Sequence, residues 1–577
     1  MTANSYLPTG EQLAIIGHPG PAFVTACPGA GKTRTVVERA RKLLENCDDR
    51  RGVAFLSFTN AAVDELEARL RTFGVLPSPL FPSFIGTFDR FLWQFLIAPF
   101  GIPGCDRVPK LIPDKSDWEV KPSFDGAQSL PLKCFDRSTG KVDAGLAKEE
   151  GFDVASRNIG AHEARARTVI ANAKKLGLVD FEDVRVCVRD RLADASFATR
   201  VGAALAGRFR EIVVDEAQDC NPADLAIVDW LRQSGIPVKV ICDPHQSIYE
   251  FRGGVTNELE NFAKTFSQQD RLPMSGNFRS TPAICAAIVG LRPPSARSNP
   301  DQPLGRHRND LTPVHVFSYG SSGVSSMIGS AFRKLVDDLG IPLQAAPVLA
   351  STRSSGAKAI GQPTLKPTNH MTLLLAEAAM NYHFAFAVGN RRDALVNLHR
   401  IILLVQNRIS SLGEYHSHLA GQNIEDGRWR PEIIAIANGL GFAAGETADQ
   451  WLGRARNLLG PGLVGSSTIS NRLRSHADLS ATLAGTPSDS PPARTIHSVK
   501  GLEFPAVCVV MTTKTAGGII EFLESGTSVG SEEDARKIYV AASRAERLLA
   551  IAVPKSRAAR LQALLAGVGC SVKAHEI

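Results

Sequence analysis

Phe23-Val24-Thr25, running into Ala26-Cys27-Pro28-Gly29-Ala30-Gly31-Lys32-Thr33, is the stretch that decides how this chain reads. It opens as a short apolar strand and closes as Ala-x4-Gly-Lys-Thr, the pattern of a phosphate-cradling P-loop. Small residues let the backbone wrap a triphosphate so that N–H groups point at its oxygens. Lys32 reaches the β- and γ-phosphates, and the Thr33 hydroxyl ligates Mg²⁺. A helix-like run, Val36-Val37-Glu38-Arg39-Ala40, follows directly, as a strand–loop–helix unit requires. ATP or a close relative is therefore the expected fuel, held by Ala26 through Thr33.

A second stretch completes the chemistry. Ile212-Val213-Val214 ends in Asp215-Glu216-Ala217-Gln218-Asp219. A strand that delivers two acids at its carboxyl end, in a P-loop protein, is a Mg²⁺ and water site. Asp215 is expected to hold the Mg²⁺ shell together with Thr33. Glu216 is expected to position and deprotonate the attacking water.

With 577 residues the chain holds several domains with ample cores. Its 44% hydrophobic and 21% charged content is that of an ordinary globular protein. The most apolar stretch, Leu373 to Val388, is interrupted by Glu377, Asn381 and His383, so no membrane partner is expected. The first residues lack a basic region followed by an apolar one, which argues against a secretory signal. Ten cysteines occur without any Cys-x-x-Cys pair, which fits reduced thiols in a cytoplasmic protein better than zinc or iron–sulfur ligation. The net charge of +7 is compatible with a polyanion and equally with a solvated surface.

Apolar β-runs recur at Val53–Leu56, Ile212–Val214, Val238–Ile241, Val314–Phe317, Val348–Leu349, Val507–Val510 and Leu549–Ala552. Continuous runs alternating with helical patterns predict parallel sheets covered on both faces. They fall into two groups, so the expected fold is α/β, with two cores built on parallel sheets that each carry a mainly helical insertion. The first core is read as 1–95 and 206–275, with its insertion at 96–205. The second is read as 276–355 and 487–577, with its insertion at 356–486.

Motifs in fixed order then make the chain resemble a superfamily 1 helicase of the UvrD/Rep/PcrA kind, over nearly its whole length. Leu7-Pro8-Thr9-Gly10-Glu11-Gln12 resembles the Q motif, Phe58-Thr59-Asn60-Ala61-Ala62 motif Ia, and Gly86-Thr87-Phe88-Asp89 motif Ib. Asp215 to Asp219 matches motif II, Asp243 to Gly254 motif III, and Asn277-Phe278-Arg279-Ser280 motif IV. Thr495 to Phe504 matches motif V, and Tyr539 to Ala545 motif VI.

The resemblance implies two RecA-like cores with ATP in the cleft between them. It implies that Gln12 reads the adenine edge, that Phe278 stacks on the base, that Arg34 lines the base pocket and that Glu503 contacts the ribose. Gln246 would sense the γ-phosphate, and Arg279 and Arg544 would reach it from the second core, so that hydrolysis requires closure. Single-stranded or forked DNA would be held by the aromatics Phe58, Tyr249 and Phe251, with Thr59, Thr87, Arg252 and His497 on phosphates. An aromatic at a strand–loop junction is also a common core residue. Stacking and phosphate contacts accept RNA as readily as DNA, and only the resemblance selects DNA.

The implied activity is that of an ATP-dependent 3′-to-5′ DNA helicase and single-strand translocase, in repair, recombination or defence. The alternative is a DNA-stimulated ATPase that regulates a partner nuclease or repair complex, by analogy with Gabija-type anti-phage systems. Of three departures from the family pattern, the last two bear on that choice and the first on a phosphate contact at motif Ib. Asp89 stands where His is usual, Thr512 to Gly530 lacks the pattern expected around a strand-separating hairpin, and the second insertion is short.

Overall fold

Each apolar run along the chain becomes a strand in one of two parallel sheets. The computed structural model describes residues 7–45, 49–76, 78–112, 114–152, 154, 158–247, 256–320, 322–362, 370–388, 392–415, 418–419, 426–443, 445–483, 490–527 and 530–577. Two compact units form: Met1–Phe88 with Ala195–Thr364 and Thr486–Ile577, and Asp89–Asp194 with Leu365–Gly485. The first unit holds both large sheets.

The first sheet runs, in spatial order, Arg271–Met274, Ala22–Ala26, Val238–Cys242, Phe209–Val214, Gly52–Ser57 and Phe84–Thr87, all parallel. Its middle strands are nearly unbroken apolar runs because helices cover both faces. All strands point the same way, so their carboxyl ends line one edge. That edge delivers Cys27, Phe58, Phe88, Asp215 and Asp243 side by side. Open α/β sheets bind ligands at this edge.

The second sheet runs Ala493–Thr495, Val348–Ala350, Phe504–Val510, Ala545–Pro554, Val314–Tyr319 and Val572–Glu576, again parallel. Apolar clusters pack on both of its faces. One gathers Ile288, Val507, Ile520 and Tyr539, the other Phe317, Phe332, Val348 and Cys508. Two elements read from sequence as insertion pack instead with the sheets. Helix Ala195–Arg208 runs straight into the Phe209–Val214 strand. Helix Arg353–Ala359 lies on the Val348–Ala350 and Ala493–Thr495 strands, so closely that a Cβ on Gly356 would be 3.4 Å from Ala493 Cβ. The unit boundaries therefore fall at 194/195 and 364/365 rather than at 205/206 and 355/356.

In the other unit, helices Met371–Val388, Arg392–Val405, Asp426–Gly439 and Ala448–Leu459 surround Trp451. The Trp451 indole N–H donates to the Leu440 carbonyl at 2.9 Å, which satisfies its one polar atom inside an apolar core. The unit's first segment adds short pairings, among them Lys110–Leu111 with Leu178–Val179 and Glu119–Val120 with Leu130–Pro131. No helix among the described residues is long and apolar enough to cross a membrane.

Two buried polar groups make the fold's stability testable. Glu211, on a central strand, accepts from Arg39 Nε at 3.0 Å and pairs with Lys239 Nζ at 3.2 Å, all three nearly without solvent. Removing the anion strands two buried cations. Glu211→Gln should cost about 3–5 kcal/mol, read as a lowered unfolding midpoint.

His399, buried against the Tyr415 hydroxyl at 2.9 Å, is pushed down to about 4 by burial, with His418 and Arg408 adding to it. It stays neutral in the fold, while its unfolded counterpart titrates near about 6.5. Its contribution is thus whole above that pH and is lost progressively as pH falls toward the folded value. The thermal midpoint should drop between about pH 7 and about pH 5, and His399→Gln should flatten that drop.

Candidate active site

Local sequence sets the P-loop geometry first. The loop leaves strand Ala22–Ala26 and enters helix Lys32–Glu45. Gly29 and Gly31 sit at φ +68° and +75°, the left-handed region that a side chain strains to enter. Both glycines also lack room. A Cβ on Gly29 would lie 2.7 Å from Arg279 Cβ and from Asn277 Oδ1, and one on Gly31 would lie 3.1 Å from Gln12 Nε2. The loop is therefore in direct contact with the second core. The Phe278 N–H donates to the Gly29 carbonyl at 2.9 Å.

The Q-motif residue is placed by a capping box. Thr9 Oγ1 accepts the Gln12 N–H at 3.2 Å, and Gln12 Oε1 accepts the Thr9 N–H at 3.0 Å. This leaves the Gln12 amide donating to the Ala30 carbonyl of the P-loop at 2.9 Å. The half-buried Phe278 ring also approaches Gly31, 3.9 Å from where a Cβ would stand. Arg34, one residue past Thr33, is on the exposed side of the helix.

Lys32 Nζ pairs with Glu216 Oε1 at 3.0 Å. Burial alone would lower the Lys32 ammonium, but the Glu216, Asp215 and Asp243 carboxylates outweigh it and hold its pKa above the usual lysine value. Burial, reinforced by Glu216, pushes Asp215 up to about 7. Burial acts on Glu216 in the same sense, but Lys32 and Lys500 hold it down at about 2. Glu216 takes a left-handed backbone, φ 57° and ψ 37°, which is unusual for a side chain of its kind and common where function constrains the chain. Asp215 Oδ1 accepts its N–H at 2.9 Å. The Asp215 N–H donates to the Leu56 carbonyl at 2.8 Å, tying this turn to the neighbouring strand. Thr33 and Asp215 border one small cavity whose other walls are mostly apolar, among them Val36, Phe55, Leu66 and Val213; their hydroxyl and carboxylate are the oxygen donor types that a hard divalent cation such as Mg²⁺ takes.

From the second core, Arg544 is 3% exposed and donates through Nη2 to Gln246 Oε1. Its Nε donates to the Val540 carbonyl at 3.1 Å. Burial, helped by the like charge of Arg279, lowers its pKa to about 10. Gln246 Nε2 donates to Asp243 Oδ2 at 2.8 Å. Arg279 donates to the Ser543 carbonyl at 2.7 Å and to the Glu503 carboxylate. The Phe504 N–H donates to the Arg544 carbonyl at 2.9 Å. Arg544 and Glu503 thus stand at the amino ends of adjacent strands, while the first core offers the carboxyl ends of its own.

This is the arrangement to compare with known proteins. The family model described as the UvrD/REP helicase N-terminal domain matches residues 9–104 and 146–267, and that of the UvrD-like helicase C-terminal domain matches residues 479–556. The chain belongs to the UvrD-like helicase family. Among its relatives, the putative ATP-dependent DNA helicase YjcD of Bacillus subtilis (strain 168) is 21% identical over 96% of this chain and 79% of its own. The ATP-dependent DNA helicase UvrD2 of Mycobacterium bovis is 24% identical over 95% of this chain and 78% of its own. The ATP-dependent DNA helicase PcrA of Leuconostoc citreum is 26% identical over 46% of this chain and 36% of its own.

The nucleic-acid candidates of this UvrD-like chain are less evenly placed. Phe58 is half-buried and stacks on buried Phe88, ring centroids 5.3 Å apart. Thr59 caps helix Asn60–Thr72, its hydroxyl accepting the Ala62 N–H at 3.2 Å. Thr87 ends its strand half-buried, and His497 begins a short turn after the Ala493–Thr495 strand. Tyr249, Phe251 and Arg252 lie outside the described residues. Asp89, the departure in motif Ib, pairs with Arg185 at 2.6 Å.

Several residues were missed by the sequence reading. Lys500 donates to both Asp219 carboxylate oxygens, at 2.6 and 2.8 Å, bridging motifs V and II. Buried Asn277 accepts the N–H groups of Arg279 and Ser280 at 2.9 and 3.0 Å. Both sit inside motifs quoted above; the partner of Lys500 lies far off in sequence, while those of Asn277 are its near neighbours in the same motif. Gly29→Ala should raise the ATP concentration needed for half-saturation about ten-fold or more, because backbone strain adds to displacement of Arg279. Titration with a fluorescent ATP analogue measures it.

Proposed function

We propose that this chain hydrolyses ATP to move along single-stranded DNA in the 3′-to-5′ direction and to separate duplex ahead of it, in repair, recombination or defence. The observation that carries the reading is the contact across the two cores: Arg544 on Gln246, with Arg279 packed against Gly29. A phosphate cradle bordered by arginines from a second lobe links hydrolysis to lobe closure.

The chain's own residues divide the work as follows. Gly29 to Thr33 present backbone N–H groups to the phosphates. Lys32 exchanges its carboxylate partner for phosphate oxygen, which frees Glu216 to take a proton from water. Gln246 senses the γ-phosphate and is itself held by Asp243. Arg544 and Arg279 stabilise the charge that develops on the transferring group. Thr33 and Asp215 would hold Mg²⁺, which neutralises phosphate charge when bound. Gln12, Phe278, Arg34 and Glu503 are assigned to the base and ribose. Phe58, Thr59, Thr87 and His497, with Tyr249, Phe251 and Arg252, are assigned to the polynucleotide.

One observation favours a second reading. Thr512 to Gly530, where a strand-separating hairpin was sought, contributes helix Ala516–Ser525, which buries Ile519, Ile520 and Leu523 and ends on Gly526. This supports a DNA-stimulated ATPase that signals to a partner nuclease without unwinding.

Turnover and strand displacement on 3′-tailed and 5′-tailed forks separate the cases. The first reading expects DNA-stimulated hydrolysis and displacement from the 3′-tailed fork. Stimulation without displacement selects the second reading, and no stimulation removes both. Lys32→Ala should lower turnover by about three orders of magnitude or more while single-strand binding persists.

A further inference from the structure

A buried polar chain runs from the second core to the candidate general base, and three of its members have no role so far: Tyr539, Arg292 and Asp301. Tyr539 sits on helix Glu532–Ala542, ahead of Arg544, and is 1% exposed. Its hydroxyl lies 3.2 Å from Asp243 Oδ2 and 3.4 Å from Asp243 Oδ1. Arg292 Nη2 donates to the same hydroxyl at 3.3 Å and to Asp301 Oδ1 at 2.6 Å, its guanidinium 5.6 Å from the Tyr539 ring centre. Arg292 and Asp301 are also buried.

The direction of these bonds matters. A phenol has one proton and accepts through its lone pairs. Arg292 can only donate, so it occupies the oxygen as a donor and leaves the phenolic proton for Asp243. Asp243 is then the hub. It accepts the His245 N–H at 3.0 Å and the Gln246 amide at 2.8 Å, and its own N–H donates to Gln218 Oε1 at 3.1 Å. Gln218 donates in turn to Glu216, and Gln246 accepts from Arg544. The Cys27 thiol, raised by burial, is raised further by the nearby Asp301 and Asp243 carboxylates.

We propose that the Tyr539 hydroxyl is a positioning group for hydrolysis: it fixes the Asp243 carboxylate, which sets Gln246 and through it Arg544, while the backbone N–H of the same Asp243 holds Gln218 and through it Glu216. Arg292 and Asp301 orient the hydroxyl. Tyr539 and Asp243 belong to different cores, so the bond exists only with the cores apposed, and the aligned site is coupled to that state. The inference rests on the reading of this site as an ATPase. Bonds in such a buried chain strengthen one another, so loss of one hydroxyl is felt at both ends.

Tyr539→Phe tests it in the full chain. The ring still packs against Arg292 and against His245, whose ring centre is 5.6 Å away, and only the hydroxyl is lost. At saturating single-stranded DNA, kcat should fall about ten- to a hundred-fold, with KM for ATP and the unfolding midpoint close to wild type. Combined with Gln246→Ala, the change should add little further loss, because both act through one chain. An unchanged kcat overturns the proposal, as do losses that multiply in the double variant. A lowered midpoint with kcat and KM shifted together assigns the hydroxyl to folding alone, which also overturns it. Wild-type protein without DNA-stimulated turnover would instead remove the functional reading beneath it.

Discussion

A guanidinium almost without water, held on a glutamine amide of another lobe, is the contact on which the rest depends. Arg544 is buried beside a second arginine, so its charge is tolerable only through the groups that face it: the Gln246 oxygen, the Val540 carbonyl and the nearby Glu216, Asp243 and Glu503 carboxylates. Separating the cores would return that charge to water and break the Gln246 bond, the Tyr539–Asp243 bond and the Lys500–Asp219 pair together. These contacts share one border, so the apposition of the lobes is cooperative rather than a sum of independent links.

The border is asymmetric for a topological reason. Parallel strands put all carboxyl ends on one edge, and the first core uses that edge for Cys27, Asp215 and Asp243. The second core meets it with the opposite edge, where Glu503 and Arg544 precede adjacent strands. The carboxyl ends of the second sheet lie along its other edge, and His497 follows a strand there.

Much of this was legible beforehand, for reasons visible in particular residues. Val53–Leu56, Ile212–Val214 and Val507–Val510 are central strands, buried on both faces, and they announce themselves as unbroken apolar runs. The edge strands do not. Arg271-Leu272-Pro273-Met274, Ala493-Arg494-Thr495 and Val572-Lys573-Ala574-His575-Glu576 carry charge or proline because one side of an edge strand is open. Helix Ala195–Arg208 gave no local sign that it packs with the sheet, since its apolar face fits either an insertion or a core.

Local chemistry is written in short stretches of the chain. A strand followed by small residues, Lys32 and Thr33, and a strand ending in two acids, can do little else with their backbone and charge, because those constraints act within a few residues. The partnerships emerge with folding instead: Phe278 on Gly29, Lys500 on Asp219, Arg292 on Tyr539 and Tyr539 on Asp243. Those pairs lie far apart in sequence, with nothing in either residue to name the other. They follow from which strand edges face each other, and that is settled only when both sheets have formed and packed.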